Sequence, residues 1–171
     1  MEAKKLRTTE LAANIAIVVV ALLVVAVVVK QNLLGSTGSS RHQVSAGEKI
    51  SVPGVDWSSH DKTVVLAISQ GCHFCSESAP FYQRLIQAVR ANSDAHLVAV
   101  LPQEDAEARR YVESLGLKID DIRKVSLDSI GVAGTPTLIL VDRGGMVKKV
   151  WVGQLPPEKE PEVMGSVPSR A

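Results

Sequence analysis

The chain has 171 residues, room for one ordinary globular domain, with 19 Lys and Arg against 18 Asp and Glu for a net charge of +1. That balance creates no field to gather nucleic acid, and no basic stripe with interleaved aromatics is present, so nucleic acid is not an expected partner. Hydrophobic residues make up 46% of the chain but aromatics only 4%, because a single valine-rich block near the start inflates the average.

That block is Leu11–Val29, nineteen residues in which Asn14 is the only polar member and no charge occurs. At about 1.5 Å per residue it spans roughly 28 Å, close to the hydrocarbon thickness of a bilayer. A buried core helix would show a polar face, and a cleaved signal peptide would have a shorter apolar region followed by a small-x-small site, which Lys30-Gln31-Asn32-Leu33-Leu34 does not offer. The predicted organisation is therefore a stub (1–10) followed by a transmembrane helix (11–30) in contact with lipid. Lys4, Lys5 and Arg7 precede the span, which favours a cytoplasmic N-terminus. The expectation is a single-pass plasma (inner) membrane protein with its soluble part periplasmic or otherwise extracytoplasmic, where two cysteines readily form a disulfide.

Gly35-Ser36-Thr37-Gly38-Ser39-Ser40 begins a flexible, solvated stretch, and residues 31–46 read as a tether. A soluble domain is expected over 47–157. From Ile50 to Trp57, apolar positions alternate around Pro53-Gly54, as in a small edge strand or hairpin. Val64–Ile68 is a continuous apolar run, the pattern of a strand covered on both faces. It leads through Ser69-Gln70-Gly71 to Cys72, where a helix is expected to begin, with Phe81, Leu85, Ala88 and Val89 on one face. Leu97–Leu101 is a second strand, and Glu104–Leu115 a helix that Gly116 can close. Thr137–Asp142 and Met146–Val152 are strands joined by Arg143-Gly144-Gly145, a connection suited to a hairpin. The succession implies an α/β fold with a mixed central sheet flanked by helices. Pro156, Pro157 and Pro161 disfavour a regular helix beyond them, so 158–171 is expected to be a disordered tail.

The chemistry lies in Cys72-His73-Phe74-Cys75, which holds the only two cysteines. Unpaired N–H groups and the positive dipole end of a helix N-terminus stabilise a thiolate there, making Cys72 the nucleophile. Cys75, almost one turn on, is placed to resolve the mixed disulfide that Cys72 forms. His73 adds a nearby titratable cation. Other uses of two such cysteines are weaker. Zinc normally takes four ligands, and His42, His60 and His96 lack finger-like spacing, so no metal is expected. Covalent haem attachment needs a histidine where Ser76 stands. A purely structural disulfide would close a loop too short to stabilise much.

The block VVLAISQGCHFCSESAPFYQRL, with Pro80 five residues after Cys75, together with GVAGTPTLILVDRGGMVKKVWVG, resembles the thioredoxin superfamily and in particular its membrane-tethered TlpA/ResA-like branch. The resemblance covers roughly residues 47–155. It implies a thioredoxin-like fold, a helix kinked at Pro80, a cis proline at Pro136 facing the cysteines, and a thiol-disulfide oxidoreductase that exchanges disulfides with exported protein clients without a cofactor. A membrane electron-transfer partner fits the same branch. Cys72 and Cys75 are then the catalytic pair, with His73, Phe74, Thr135 and Pro136 as motif and client-binding residues, the Thr135 backbone pairing with an extended client segment. The helix inserted near Glu104–Leu115 resembles that of the TlpA/ResA-like and peroxiredoxin-like branches. Three departures stand out. Gly71 replaces the tryptophan that often precedes the first cysteine, Leu66 replaces a buried acid that moves the resolving cysteine's proton, with Glu77 and His73 as substitutes, and the final helix is weakened by proline.

Two further functions stay open on the sequence. One is a peroxiredoxin-like thiol peroxidase, with Ser69 as the upstream hydroxyl, although Val65 occupies an expected proline position. The other is a tethered metal-handling or docking module.

Overall fold

The computed structural model describes residues 42–167. The predicted cytoplasmic stub, the transmembrane helix 11–30, the linker as far as residue 41 and the end of the tail, 168–171, lie outside the described residues. Among the described residues no helix is long and apolar enough to cross a membrane.

Five strands form one sheet: β1 (Lys62–Ala67), β2 (Ala95–Leu101), β3 (Asp121–Lys124), β4 (Thr137–Asp142) and β5 (Val147–Val152), in the order β3-β2-β1-β4-β5. β1 pairs parallel with β2, Val65 opposite Val98, and antiparallel with β4, Val65 opposite Ile139. β3 adds parallel to β2 and β5 antiparallel to β4. β1 is central because its apolar run can face a core on either side. Val64, Leu66 and Ile68 enter one core, and Val65 and Ala67 the other.

The first core is closed by α1 (His73–Glu77), α2 (Ala79–Arg90), α3 (Asp105–Ser114) and α4 (Glu160–Ser166). Phe81, Leu85 and Val89 bury the inner face of α2, each contributing about 1.5–3 kcal/mol of apolar burial. α3 ends in a Schellman arrangement at Gly116 (φ +68°): the Gly116 N–H donates to the Glu113 carbonyl and that of Leu117 to Val112. The second core is closed largely by irregular chain, Val44, Ile50 and Val52 packing with Ile130 and Val132.

Three expectations need correction. Ile50–Trp57 forms no strand; only an isolated bridge, Lys49 to Met146, precedes a turn, and Trp57–Ser59 is a 3-10 helix capped by the Asp56 carboxylate. Pro53 lacks the N–H a ladder needs, and Gly54 (φ +76°) turns the chain away. The packed domain begins before residue 47, since Val44 is buried and its N–H donates to the Gly131 carbonyl at 2.8 Å. The chain from 158 onward is not a disordered tail as far as it is described, because α4 is present and buries Val163, with Val167 beyond it in the same core. Pro161 sits in the first turn of α4, where its missing N–H would have had no intrahelical partner anyway. Arg84 pairs with Glu160, Lys149 with Glu162, and Lys62 Nζ donates to the Ser166 carbonyl, fastening α4 to α2 and the sheet.

Candidate redox site

The sheet's topology makes the site. Because β1 and β4 are antiparallel neighbours with Ala67 opposite Thr137, the chain leaving β1 and the chain entering β4 meet at one end of the sheet. The first carries Ser69–Cys75 and the second Gly134–Pro136.

Leaving β1, the Ile68 N–H still donates to the Val100 carbonyl, and the chain then turns as the Cys72 N–H donates to the Ser69 carbonyl at 3.2 Å. Gly71 is the third residue of that turn with φ +78°, a conformation that favours glycine. A Cβ there would meet nothing within 4 Å, so backbone conformation, not space, disfavours the aromatic residue that related motifs carry at this place.

Cys72 is the N-cap of α1, and its Sγ accepts the Cys75 N–H at 3.1 Å. The two cysteines form a disulfide with Cα atoms 5.3 Å apart. Their exposure differs: Cys72 is half-buried, whereas Cys75 is 0% exposed and lies in the first core with Leu66. α1 and α2 are joined at Ser78, whose N–H still reaches the Phe74 carbonyl, while Pro80 occupies the first turn of α2. The break therefore falls between the redox turn and the long helix, as the proline implied.

His73 Nε2 lies 3.1 Å from Glu77 Oε1, and both side chains are largely in solvent. Neither of the two groups named as substitutes for the missing acid is thus buried beside Cys75, and among the described residues no charged side chain is buried. Polarity under the site comes from hydroxyls. Tyr82, buried in the core with Cys75, has its phenol pushed up to about 12 by desolvation, against which the Ser78 hydroxyl acts. Phe74 is 53% exposed and tilts against the His73 ring, an apolar surface within the Cys72–Cys75 motif.

In the segment entering β4 the Thr135–Pro136 peptide is cis. The Pro136 carbonyl accepts the Gly153 N–H at 2.7 Å, and Thr137 Oγ1 donates to the Gly134 carbonyl at 2.7 Å. Among the described residues the Thr135 N–H and carbonyl make no hydrogen bond. Its side chain does: Thr135 Oγ1 and Ser69 Oγ are 3.0 Å apart. In the sequence Ser69 reads only as a peroxidase hydroxyl, and nothing there signals this contact across sixty-six positions.

A protein-family model described as Redoxin matches residues 46–167. No curated protein sequence matches the chain. Among solved structures, a candidate thiol:disulfide interchange protein DsbE from Chlorobium tepidum superposes with a TM-score of 0.58 at 21% identity, covering 73% of this chain and 99% of that one. A thiol-disulfide isomerase from Corynebacterium glutamicum gives 0.52 at 18% identity over 75% and 96%. StoA from Bacillus subtilis gives 0.51 at 21% identity over 68% and 88%. These likenesses show a shared thioredoxin-like fold.

Proposed function

The chain belongs to the redoxin family and is a thiol-disulfide oxidoreductase of thioredoxin-like fold, and from that premise we propose that it works outside the cytoplasm, tethered to the membrane, on the thiols and disulfides of exported proteins. The observation that carries the chemistry is the asymmetry of the pair. Cys72 is reachable and receives a helix N–H, whereas Cys75 is sealed in the core.

In the reducing direction the Cys72 thiolate attacks one sulfur of a client disulfide. A mixed disulfide forms, and the electron pair of the broken bond leaves on the other client sulfur, which takes up a proton. Cys75, giving up its own proton, then attacks Cys72 Sγ and expels the second client thiolate, which takes up a proton in its turn. The client gains two electrons and two protons, and the Cys72–Cys75 disulfide seen here is regenerated. In the opposite direction the same displacements run backward and the client is oxidised. The unpaired Thr135 N–H and carbonyl suit them to hold an extended client segment, and Phe74 offers it apolar contact.

The tether is supported by the uncharged run Leu11–Val29 and by Lys4, Lys5 and Arg7 before it. A membrane-embedded donor or acceptor of electrons fits such a placement. Topology is tested by treating intact cells with a reductant and then a membrane-impermeant maleimide. Labelling of Cys72 without lysis is expected; labelling only after lysis would place the domain in the cytoplasm and defeat the extracytoplasmic reading.

A further inference from the structure

We infer that Ser69 is a positioning residue for client binding, setting the separation between the nucleophile and the Thr135 strand edge. The inference rests on the reading that Thr135 pairs with the client. Ser69 bonds to both segments. Its carbonyl closes the turn that delivers Cys72, accepting the Cys72 N–H at 3.2 Å, and its hydroxyl meets Thr135 Oγ1 at 3.0 Å. Both Ser69 and Thr135 are half-buried, where a hydroxyl pair is less diluted by competing water than on an open surface.

Among the described residues no other hydrogen bond fixes Thr135 directly. Its neighbours are held, Pro136 through Gly153 and Gly134 through Thr137, but its own backbone groups make no hydrogen bond among the described residues. With the side chain tied back to Ser69, the Thr135 backbone stays free for a ladder with an incoming chain, at a height fixed relative to Cys72. An ordinary loop bond would stabilise the fold without altering affinity for an extended substrate. A positioning bond changes chiefly the affinity, because the client must span from Thr135 to the sulfur of Cys72.

The test uses the full chain in detergent with insulin as the disulfide probe and dithiothreitol as electron source. Ser69→Ala, Thr135→Val, Thr135→Ser and the Ser69→Ala/Thr135→Val double variant are compared, with rates referred to titrated Cys72 thiol. Loss of one hydroxyl pair is expected to raise KM for insulin by about two- to tenfold, with kcat moving less. Thr135→Ser, which keeps a hydroxyl, restores KM toward wild type, and the double variant is no worse than either single. Additive effects, or an unchanged KM in Ser69→Ala, would overturn the role while leaving the oxidoreductase reading intact. If wild-type protein neither reduces insulin nor, as its disulfide, oxidises the reduced insulin chains, the client-pairing reading fails and the inference with it.

Discussion

The Cys75 backbone N–H donates to Cys72 Sγ across 3.1 Å, so the resolving residue's own amide stabilises the nucleophile's sulfur. The same one-turn geometry brings the second sulfur within bonding reach. On the proposed assignment, the proximity that permits resolution also supplies part of the activation.

The proposed role of His73 is to add to that activation from the exposed side. The Glu77 carboxylate lies 3.1 Å from its Nε2, so only a modest effect on the Cys72 thiolate is expected. Replacing His73 with Ala destabilises the reduced form and should make the reduction potential more negative by about 10–30 mV, where 30 mV corresponds to about 1.4 kcal/mol. Equilibration of the variant in glutathione buffers checks this, and a potential that moves in the positive direction would contradict it.

Gly71 holds φ +78° in the turn that delivers Cys72. Gly71→Ala meets no obstacle but must adopt a left-handed conformation, which costs about 1–2 kcal/mol. Urea denaturation is expected to show that loss, together with slower exchange at Cys72. A stability equal to wild type would mean that the turn tolerates a side chain and that the missing aromatic lip has another cause.

Much of this site was legible in the sequence because its parts are local. The strand before Cys72, the helix starting at His73 and the hairpin through Gly144-Gly145 each follow from a short pattern that agrees with its tertiary surroundings. What was not legible is relational. β3, Asp121–Lys124, is charged and short because it is a sheet edge, so no apolar alternation announces it. α4 was obscured by Pro161, a breaker in a helix interior but acceptable in a first turn, and only the burial of Val163 decides between those roles. The Ser69–Thr135 contact depends on β1 and β4 being neighbours, a property of topology and not of either segment.

Tyr82 makes stability depend on alkaline pH. Its folded phenol is pushed up to about 12 against a reference of 10.0, chiefly by burial. A raised folded value means the contribution is complete below pH 10 and is lost as pH rises through 12. That loss amounts to about 2–3 kcal/mol. Tyr82→Phe, which cannot ionise, should flatten the decline in denaturation free energy between pH 9 and 12. An unaltered slope would mean that Tyr82 ionises in the folded protein as readily as in the unfolded chain.

The central claim is that Cys72 attacks and Cys75 resolves, and Cys75→Ala tests it most directly. With the resolving thiol gone, the full-length variant expressed in cells should accumulate covalent client adducts through Cys72. Those adducts should collapse on treatment with dithiothreitol and be missing when Cys72→Ala is added. Absence of any adduct, with Cys72 also inert toward oxidised glutathione in the purified protein, would contradict it.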